Sequence, residues 1–197
     1  MSIKNYFNTK FNQVNIFNNK HFIIFLIKFI ISFLVFYYGT LAIIGLSSKE
    51  GNYNSFISNY FNYIRWLRIS LLHGTKLLLH LFGVNTYIAS EYNIKKIGGS
   101  GVMIVFQCVG YGIMSFWSAF IIAIDDFFSR KIKIWLLGFI LFWIMNVCRL
   151  SLVLVANNNK WSMPLGIDHH TWFNILSYMF ILIMMYFYEK LTTNKCK

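Results

Sequence analysis

Acidic residues are scarce in this chain of 197 residues, which carries six Asp and Glu against 18 Lys and Arg. Charged residues of either sign make up only 12% of the sequence, whereas 57% of it is hydrophobic and 20% is aromatic. A soluble domain of this length could not hide so much apolar surface from water. The shortage of charge therefore argues against an ordinary soluble domain and predicts a protein that uses lipid as its solvent.

Cysteine is also rare, and motifs for binding nucleic acid are missing. Cys108, Cys148 and Cys196 do not make a disulfide framework. The net charge of +12 comes without a helix-turn-helix, a zinc finger or a base-stacking platform, and its basic residues cluster between apolar runs. Such clusters are typical of membrane flanks, so we expect membrane lipids with anionic headgroups, and not nucleic acid, as the partner of this charge.

Four apolar runs predict membrane-spanning helices. They are residues 22–46, 110–126, 134–155 and 170–188. The first run follows a polar, basic leader (1–20) and lacks an evident cleavage site, so we interpret it as a retained anchor. We expect residues 21–190 to form a single membrane-embedded domain and residues 191–197 a basic cytoplasmic tail.

Residues 61–83 have the pattern of an amphipathic helix. The basic residues that share one arc of the helical wheel are Arg65, Arg68, His73, Lys76 and His80. The opposite face carries Trp66, Leu67, Leu71, Leu77, Leu78 and Leu81. Such a helix either lies in the membrane interface or lines a cleft with its basic face.

Residues 84–107 differ in composition from the apolar runs. Two short strand-like runs flank the glycine-rich sequence KKIGGSG, which predicts a small extracytoplasmic β-hairpin that leads directly to Cys108. The predicted fold is therefore an all-α integral membrane protein. It has about four transmembrane helices, an amphipathic helix and this hairpin.

The basic segments outside the spans select an orientation. The leader, residues 127–133 and the tail are strongly basic, so the positive-inside rule places them in the cytoplasm. Residues 47–60 and 156–169 each carry one Lys balanced by an acid, and we place them outside. These placements put both ends of residues 61–83 on the outer side, so that segment cannot make a full crossing. We expect a multi-pass protein of the cell inner or plasma membrane with both termini cytoplasmic.

Cys108 lies at the outer start of a predicted span, beside Gly110 and Gly112. The positive end of a helix dipole favours the thiolate form of a cysteine placed there. Glycines leave the backbone bare, so its N–H groups could reach an oxyanion. These features suggest a nucleophile, whereas Cys148, in the middle of an apolar run, is expected to be inert.

Arg149 lies inside the predicted span 134–155, where an unpaired charge costs about 2.5–3.5 kcal/mol or more. Asn146 is three residues earlier on the same helix face and could support it by hydrogen bonding. The alternative is an arginine that extends its side chain to the outer headgroups.

His169 and His170 open the last predicted span and point about 100° apart on a helix. We select His170, because Asn174 lies one turn later on its face, and keep His169 as the second candidate. Two interfacial histidines that cap a helix behind Asp168 remain an alternative. A metal site of these residues with Cys108 has no supporting ligand spacing, so no metal or cofactor is predicted.

These residues together resemble the exosortase/archaeosortase family of integral membrane cysteine transpeptidases. The similar motifs are Cys108-Val109-Gly110 before a span, Asn146-x-x-Arg149 inside the next and His170 at the start of the last. The resemblance covers roughly residues 60–190 and is that of a compact member. Val109 departs from the usual Cys-Ser-Gly motif of the family.

The resemblance implies that Cys108 attacks a peptide carbonyl, His170 acts as general acid and base, and Arg149 stabilises the oxyanion or the thiolate. It implies substrates that are exported proteins with a C-terminal motif, a transmembrane helix and a basic tail, cleaved at the outer face of the membrane. The alternative is a non-enzymatic membrane protein, such as a transporter subunit or export-complex scaffold. Its polar path would be lined by Arg149 and His169 or His170.

Overall fold

A computed structural model describes residues 20–48, 53–161 and 169–193 of the chain. The helices in these ranges are α1 (Lys20–Ser47), α2 (Ser55–Tyr60), α3 (Tyr63–Leu81), α4 (Tyr111–Ala123), α5 (Phe128–Asn159) and α6 (His169–Thr193). The strands are β1 (Thr86–Ser90), β2 (Asn93–Lys96) and β3 (Gly101–Met103), and a 3₁₀ turn (Phe106–Val109) joins β3 to α4. The protein is therefore mostly helical with one small sheet. Nearly all of the predicted leader, and the end of the tail with Cys196, lie outside the described residues.

Two helices, α1 and α5, are long and apolar enough to cross a membrane, judged by length and composition. They have 28 and 32 residues, and about 20 residues span a bilayer core of roughly 30 Å. The span predicted at 110–126 is shorter in the structure, because α4 has 13 residues between Gly110 and Ile124, whose backbones leave the helical region. The apolar stretch of α6 covers Asn174–Tyr186. The arrangement with four crossings therefore stays a prediction.

Helix α1 packs along α4 in the opposite direction. At one end, Lys28 Nζ donates to Asp125 Oδ1 over 2.7 Å. At the other end, the rings of Tyr37 and Tyr111 lie 5.4 Å apart. Phenylalanines of α1 fill the interval, with Phe29 edge-on to a ring of α4. Alternating aromatic contacts of this kind fix the depth of α1 against α4.

Helices α4 and α5 cross closely because a glycine faces an indole. A Cβ on Gly138 would overlap the ring of Trp117, which is fully buried. Trp117 Nε1 donates to the carbonyl oxygen of Trp135 over 3.3 Å, and Trp135 Nε1 donates back to Ser118 Oγ over 2.9 Å. The two indoles therefore join the helices by hydrogen bonds that lipid could not supply.

A buried carboxylate joins three helix ends at the basic end of the bundle. The Asp126 side chain is only 6% exposed. It accepts hydrogen bonds from Tyr188 Oη (2.6 Å), Phe127 N (2.7 Å) and Arg130 Nη1 (3.2 Å). Lys131 Nζ donates to carbonyl oxygens at the end of α4. Tyr188 is near the end of α6, whereas Asp126 lies just before the start of α5. Helix α6 therefore runs antiparallel to α5.

The sheet has three strands, in the order β1-β2-β3 with antiparallel neighbours. The prediction of a two-stranded hairpin was wrong in this respect, because the run TYIASEYNI turns back on itself at Glu91 and Tyr92. The turn between β2 and β3 is held by Asn158, near the end of α5. Its Oδ1 accepts from Ser100 N over 2.8 Å.

Helix α3 buries one face against the sheet and α5, but its composition differs from the predicted one. The buried residues are Ile64, Arg68, Leu71, Leu72, Thr75 and Leu79. Arg68 is therefore separated from the other basic residues of the predicted arc, which are exposed or half-buried. Trp66 (57% exposed) and Leu77 (62% exposed) lie on the outer face instead, beside Lys76. Helix α3 thus has one buried face, but its exposed face mixes basic residues with apolar ones.

Candidate functional site

The segment that carries Cys108 is a short turn that ends at a glycine. Val105 is extended, the 3₁₀ turn follows, and Cys108 N donates to Val105 O over 2.9 Å. Gly110 then adopts φ 81° and ψ 25°, a left-handed conformation that glycine takes at little cost. This reversal starts α4 at Tyr111. Cys108 therefore lies at the entrance of a helix, as the sequence predicted.

Asn146 of α5 fixes this turn. Its side chain is fully buried, and Nδ2 donates to Cys108 O over 3.0 Å and to Val109 O over 3.1 Å. These two carbonyls lie in a tight turn where a backbone partner is missing, so the amide satisfies them. Asn146 Oδ1 has no hydrogen-bond partner among the described residues. The asparagine thus binds the backbone beside Cys108, whereas the sequence suggested that it supports Arg149.

Arg149 lies one helical turn after Asn146. Its side chain is half-buried, and the guanidinium lies within hydrogen-bonding and electrostatic range of the Cys108 side chain. Two of the three predicted catalytic side chains, far apart in the sequence, therefore meet. The guanidinium presents N–H donors and a positive charge to the sulfur.

The surroundings of Cys108 are apolar. The cysteine is 4% exposed and belongs to a buried cluster with Val109, Leu71 and Val147, among others. Electrostatic interactions are stronger in such a site than in water. Cys148, by contrast, is exposed on α5.

The first turn of α4 offers backbone donors next to Cys108. The first backbone hydrogen bond of the helix runs from Met114 N to Gly110 O, over 3.1 Å. The N–H groups of residues 111–113 have no acceptor within the helix, by the geometry of helix ends. Together with the helix dipole they favour a negative charge at this point.

His169 and His170 open α6, and their side chains lie outside the described part of the structure. Their backbone position follows from the far end of the helix, where Tyr188 bonds Asp126 at the start of α5. From Tyr188 back to His170 is about 27 Å along α6, and from the start of α5 up to Arg149 is about 32 Å. The start of α6 thus lies at a height comparable to that of Arg149.

The described residues contain no group of three or more His, Cys, Asp or Glu that could hold a metal ion. Asp168, which the metal alternative required, lies outside the described ranges.

Comparisons of the chain with protein-family models, curated proteins and solved structures found no match.

Two features of this region were missed from the sequence. One is the double hydrogen bond of Asn146 to the turn of Cys108. The other is a cluster of Arg65, Arg68, Glu91 and Tyr92, where the turn after β1 meets the first half of α3. The sequence contained a signal for this cluster, because an acid and a tyrosine in a turn between strands can bind arginines of a neighbouring helix.

Proposed function

We propose that this chain is a membrane-embedded cysteine peptidase or transpeptidase, similar to the exosortase/archaeosortase family. It would cleave the C-terminal sorting signal of exported proteins at the outer face of the membrane. The observation that carries the proposal is the pairing of Cys108 with Arg149 at the glycine-flanked entrance of α4. An inert, space-filling cysteine has no need of a guanidinium partner inside an apolar cluster.

The reaction begins when the Cys108 thiolate attacks the scissile carbonyl carbon and forms a C–S bond. The carbonyl oxygen becomes an oxyanion, which Arg149 and the free N–H groups of the first turn of α4 stabilise. The C–N bond then breaks, and the leaving nitrogen takes a proton from His170 or His169. A thioester remains on Cys108.

The thioester is resolved by a second nucleophile. Water gives a peptidase and an amine a transpeptidase, and in either case the histidine accepts the proton of the attacking group. Sulfur leaves as the thiolate, which restores the starting enzyme. The residues of this chain supply every group that these steps need, so no cofactor enters the proposal.

The distribution of charge supports a substrate whose basic tail stays inside. Arg130 and Lys131 lie at the start of α5, about 28 Å along the helix from Arg149. With this basic end in the cytoplasm, the pairing of Cys108 and Arg149 lies toward the outer face. A transmembrane substrate helix with a basic tail would then present its scissile bond at the depth of Cys108. Both termini of the chain are cytoplasmic in this arrangement.

The proposal is tested by co-expression with a candidate substrate, an exported protein that ends in a short motif, an apolar span and a basic tail. Loss of the tail is followed by immunoblot for wild type, Cys108→Ala and Cys148→Ala. We expect that Cys108→Ala abolishes processing and that Cys148→Ala leaves it intact. Equal processing by wild type and Cys108→Ala would leave the non-enzymatic alternative.

A further inference from the structure

Arg68 is a buried arginine that the proposed reaction does not use. It lies on the inner face of α3 and is 7% exposed. Its Nε donates to the carbonyl oxygen of Glu91 over 3.1 Å, and its guanidinium carbon lies 3.8 Å above the ring centroid of Tyr92. A hydrogen bond and a cation–π contact therefore fix both the position and the plane of the guanidinium.

The terminal amino groups of this guanidinium have no acceptor among the described residues. Among the described residues, the bond from Nε to Glu91 is the only hydrogen bond that the Arg68 side chain makes. A guanidinium carries five N–H donors, so four are left over. Among the described residues, no polar atom of the Arg68 side chain is both inaccessible to solvent and unpartnered. The leftover donors are therefore reached by solvent. A fixed fork of unused donors is a binding site for an oxyanion.

The charge around Arg68 is also unbalanced. The Glu91 carboxylate is engaged by Arg65, whose Nε donates to Oε2 over 3.0 Å and whose Nη2 bonds Oε1. Arg65 thereby lowers the pKa of Glu91, and Arg68 adds a weaker attraction. Among the described residues, two guanidinium groups share this one carboxylate, so one positive charge remains at this place.

The exposed residues around this end of α3 indicate where the anion comes from. Tyr63 and Trp66 are exposed on the first turn of α3, and Tyr60 and Phe61 are exposed just before it. Tyrosine and tryptophan are enriched at the level of the headgroups in membrane proteins. Helix α3 also packs against α5, one of the two candidate spans. Exposed aromatic residues beside a candidate membrane-spanning helix fit a lipid better than a soluble anion.

We propose that Arg68 binds the phosphate group of a phospholipid headgroup. Tyr92 and the Glu91 carbonyl orient the guanidinium, and its free amino groups hold the phosphate oxygens. The exposed residues Tyr60, Tyr63 and Trp66 place this end of α3 at the level of the headgroups. This site is separate from the cysteine chemistry, so it stands whether or not the chain is an enzyme.

Native mass spectrometry of the full chain in an uncharged detergent tests this site. The probes are phosphatidylglycerol and a diacylglycerol with the same acyl chains, which differ by the phosphoglycerol headgroup. The variants are Arg68→Gln, the exposed control Lys76→Gln on the same helix, and Glu91→Gln. Wild type is expected to retain phosphatidylglycerol in preference to diacylglycerol. Arg68→Gln should weaken this retention about tenfold or more, because it removes charge-assisted hydrogen bonds, and Lys76→Gln should change it little.

Arg68→Gln could lose the lipid simply because it folds poorly. Glu91→Gln avoids this problem because it leaves Arg68 in place. It removes the carboxylate that competes with phosphate for the two guanidinium groups, so phosphatidylglycerol should bind more tightly than to wild type. Unchanged or weaker binding by Glu91→Gln, or full retention by a folded Arg68→Gln, would overturn the proposal. Displacement of the lipid by an equal concentration of inorganic phosphate would show that free phosphate, and not the headgroup, is the ligand.

Discussion

Arg149 is the residue that best separates catalysis from anchoring, because lysine can replace it in only one of these roles. Both side chains reach headgroups equally well, but lysine offers a point charge on a flexible stem in place of a planar fork. Loss of one oriented oxyanion donor costs about 10²–10³ in rate. We predict that Arg149→Lys accumulates in the membrane normally and processes a co-expressed substrate on the order of a hundredfold more slowly.

This prediction is checked by a time course of tail removal at matched protein levels. Near-normal processing by a stable Arg149→Lys variant would assign Arg149 to anchoring alone. A variant that fails to accumulate must be excluded first, because instability lowers processing as well.

Gly110 and Gly112 flank the site and differ in backbone conformation, which makes them a matched pair. A Cβ at either position meets its nearest neighbour at 3.7 Å, so neither is excluded by contact. Only Gly110 has a positive φ, and a side chain there costs about 1–2 kcal/mol. Gly110→Ala should therefore lower the melting temperature in detergent and reduce processing, whereas Gly112→Ala should retain both. Equal melting temperatures for the two variants would contradict the role of the left-handed turn.

Local chemistry made some residues of the site predictable from the sequence. A charge inside an apolar run and a cysteine beside two glycines are visible without a fold, and both belong to the pairing seen in the structure. The bonds of Asn146 to the carbonyls of Cys108 and Val109 are not visible, since they depend on how α5 packs against the turn. The burial of Arg68 was also not predicted, because a helical wheel does not show which face a sheet will cover.

At the scale of the elements, the crossing of α4 and α5 depends on one glycine. Alanine at Gly138 would overlap the buried Trp117, whereas alanine at Gly39 in α1 would meet nothing within 4 Å. Overpacking of a core typically costs about 1–3 kcal/mol. We predict that Gly138→Ala lowers the melting temperature in detergent and that Gly39→Ala does not. If the two variants melt at the same temperature, the close contact of Gly138 with Trp117 is wrong.

Length and hydropathy were enough to place the long helices. Both α1 and α5 contain the runs predicted to span, because a continuous apolar stretch has few alternatives to a helix in lipid. The extra strand was missed, since the turn at Glu91 and Tyr92 lacks the glycine or proline that usually marks a turn. The early end of α4 at Ala123 was missed because Ile124 is as apolar as its neighbours.

At the scale of the whole molecule, Asp126 holds the ends of α4, α5 and α6 together. The hydrogen bond from Tyr188 is the main cause that lowers the pKa of Asp126 below its usual value of 3.8. A carboxyl whose pKa is lowered by folding stabilises the fold above its unfolded pKa, and this stability is lost as the pH falls through the folded pKa. The effect is therefore complete at neutral pH, begins to be lost near pH 3.8 and disappears only below the lower folded pKa.

We predict that Asp126→Asn melts below wild type at pH 7 and that the gap closes as the pH falls below about 3.8. Asp125→Asn is the control, because its carboxylate is 75% exposed and bonds only Lys28 among the described residues. Its gap at pH 7 should be much smaller. Thermal melts of the three proteins over this pH range provide the measurement, and a gap that persists unchanged at low pH would contradict the prediction.

The central claim is that Cys108 is a nucleophile, and a covalent thioester tests it most directly. The chain is incubated with a candidate substrate, quenched with acid, digested and analysed by mass spectrometry. The peptide with Cys108 is expected to carry the acyl fragment of the substrate, and hydroxylamine, which cleaves thioesters, is expected to remove it. Cys148 should remain unmodified. Cleavage of the substrate without any adduct on Cys108, or with an adduct on Cys148 instead, would contradict the account.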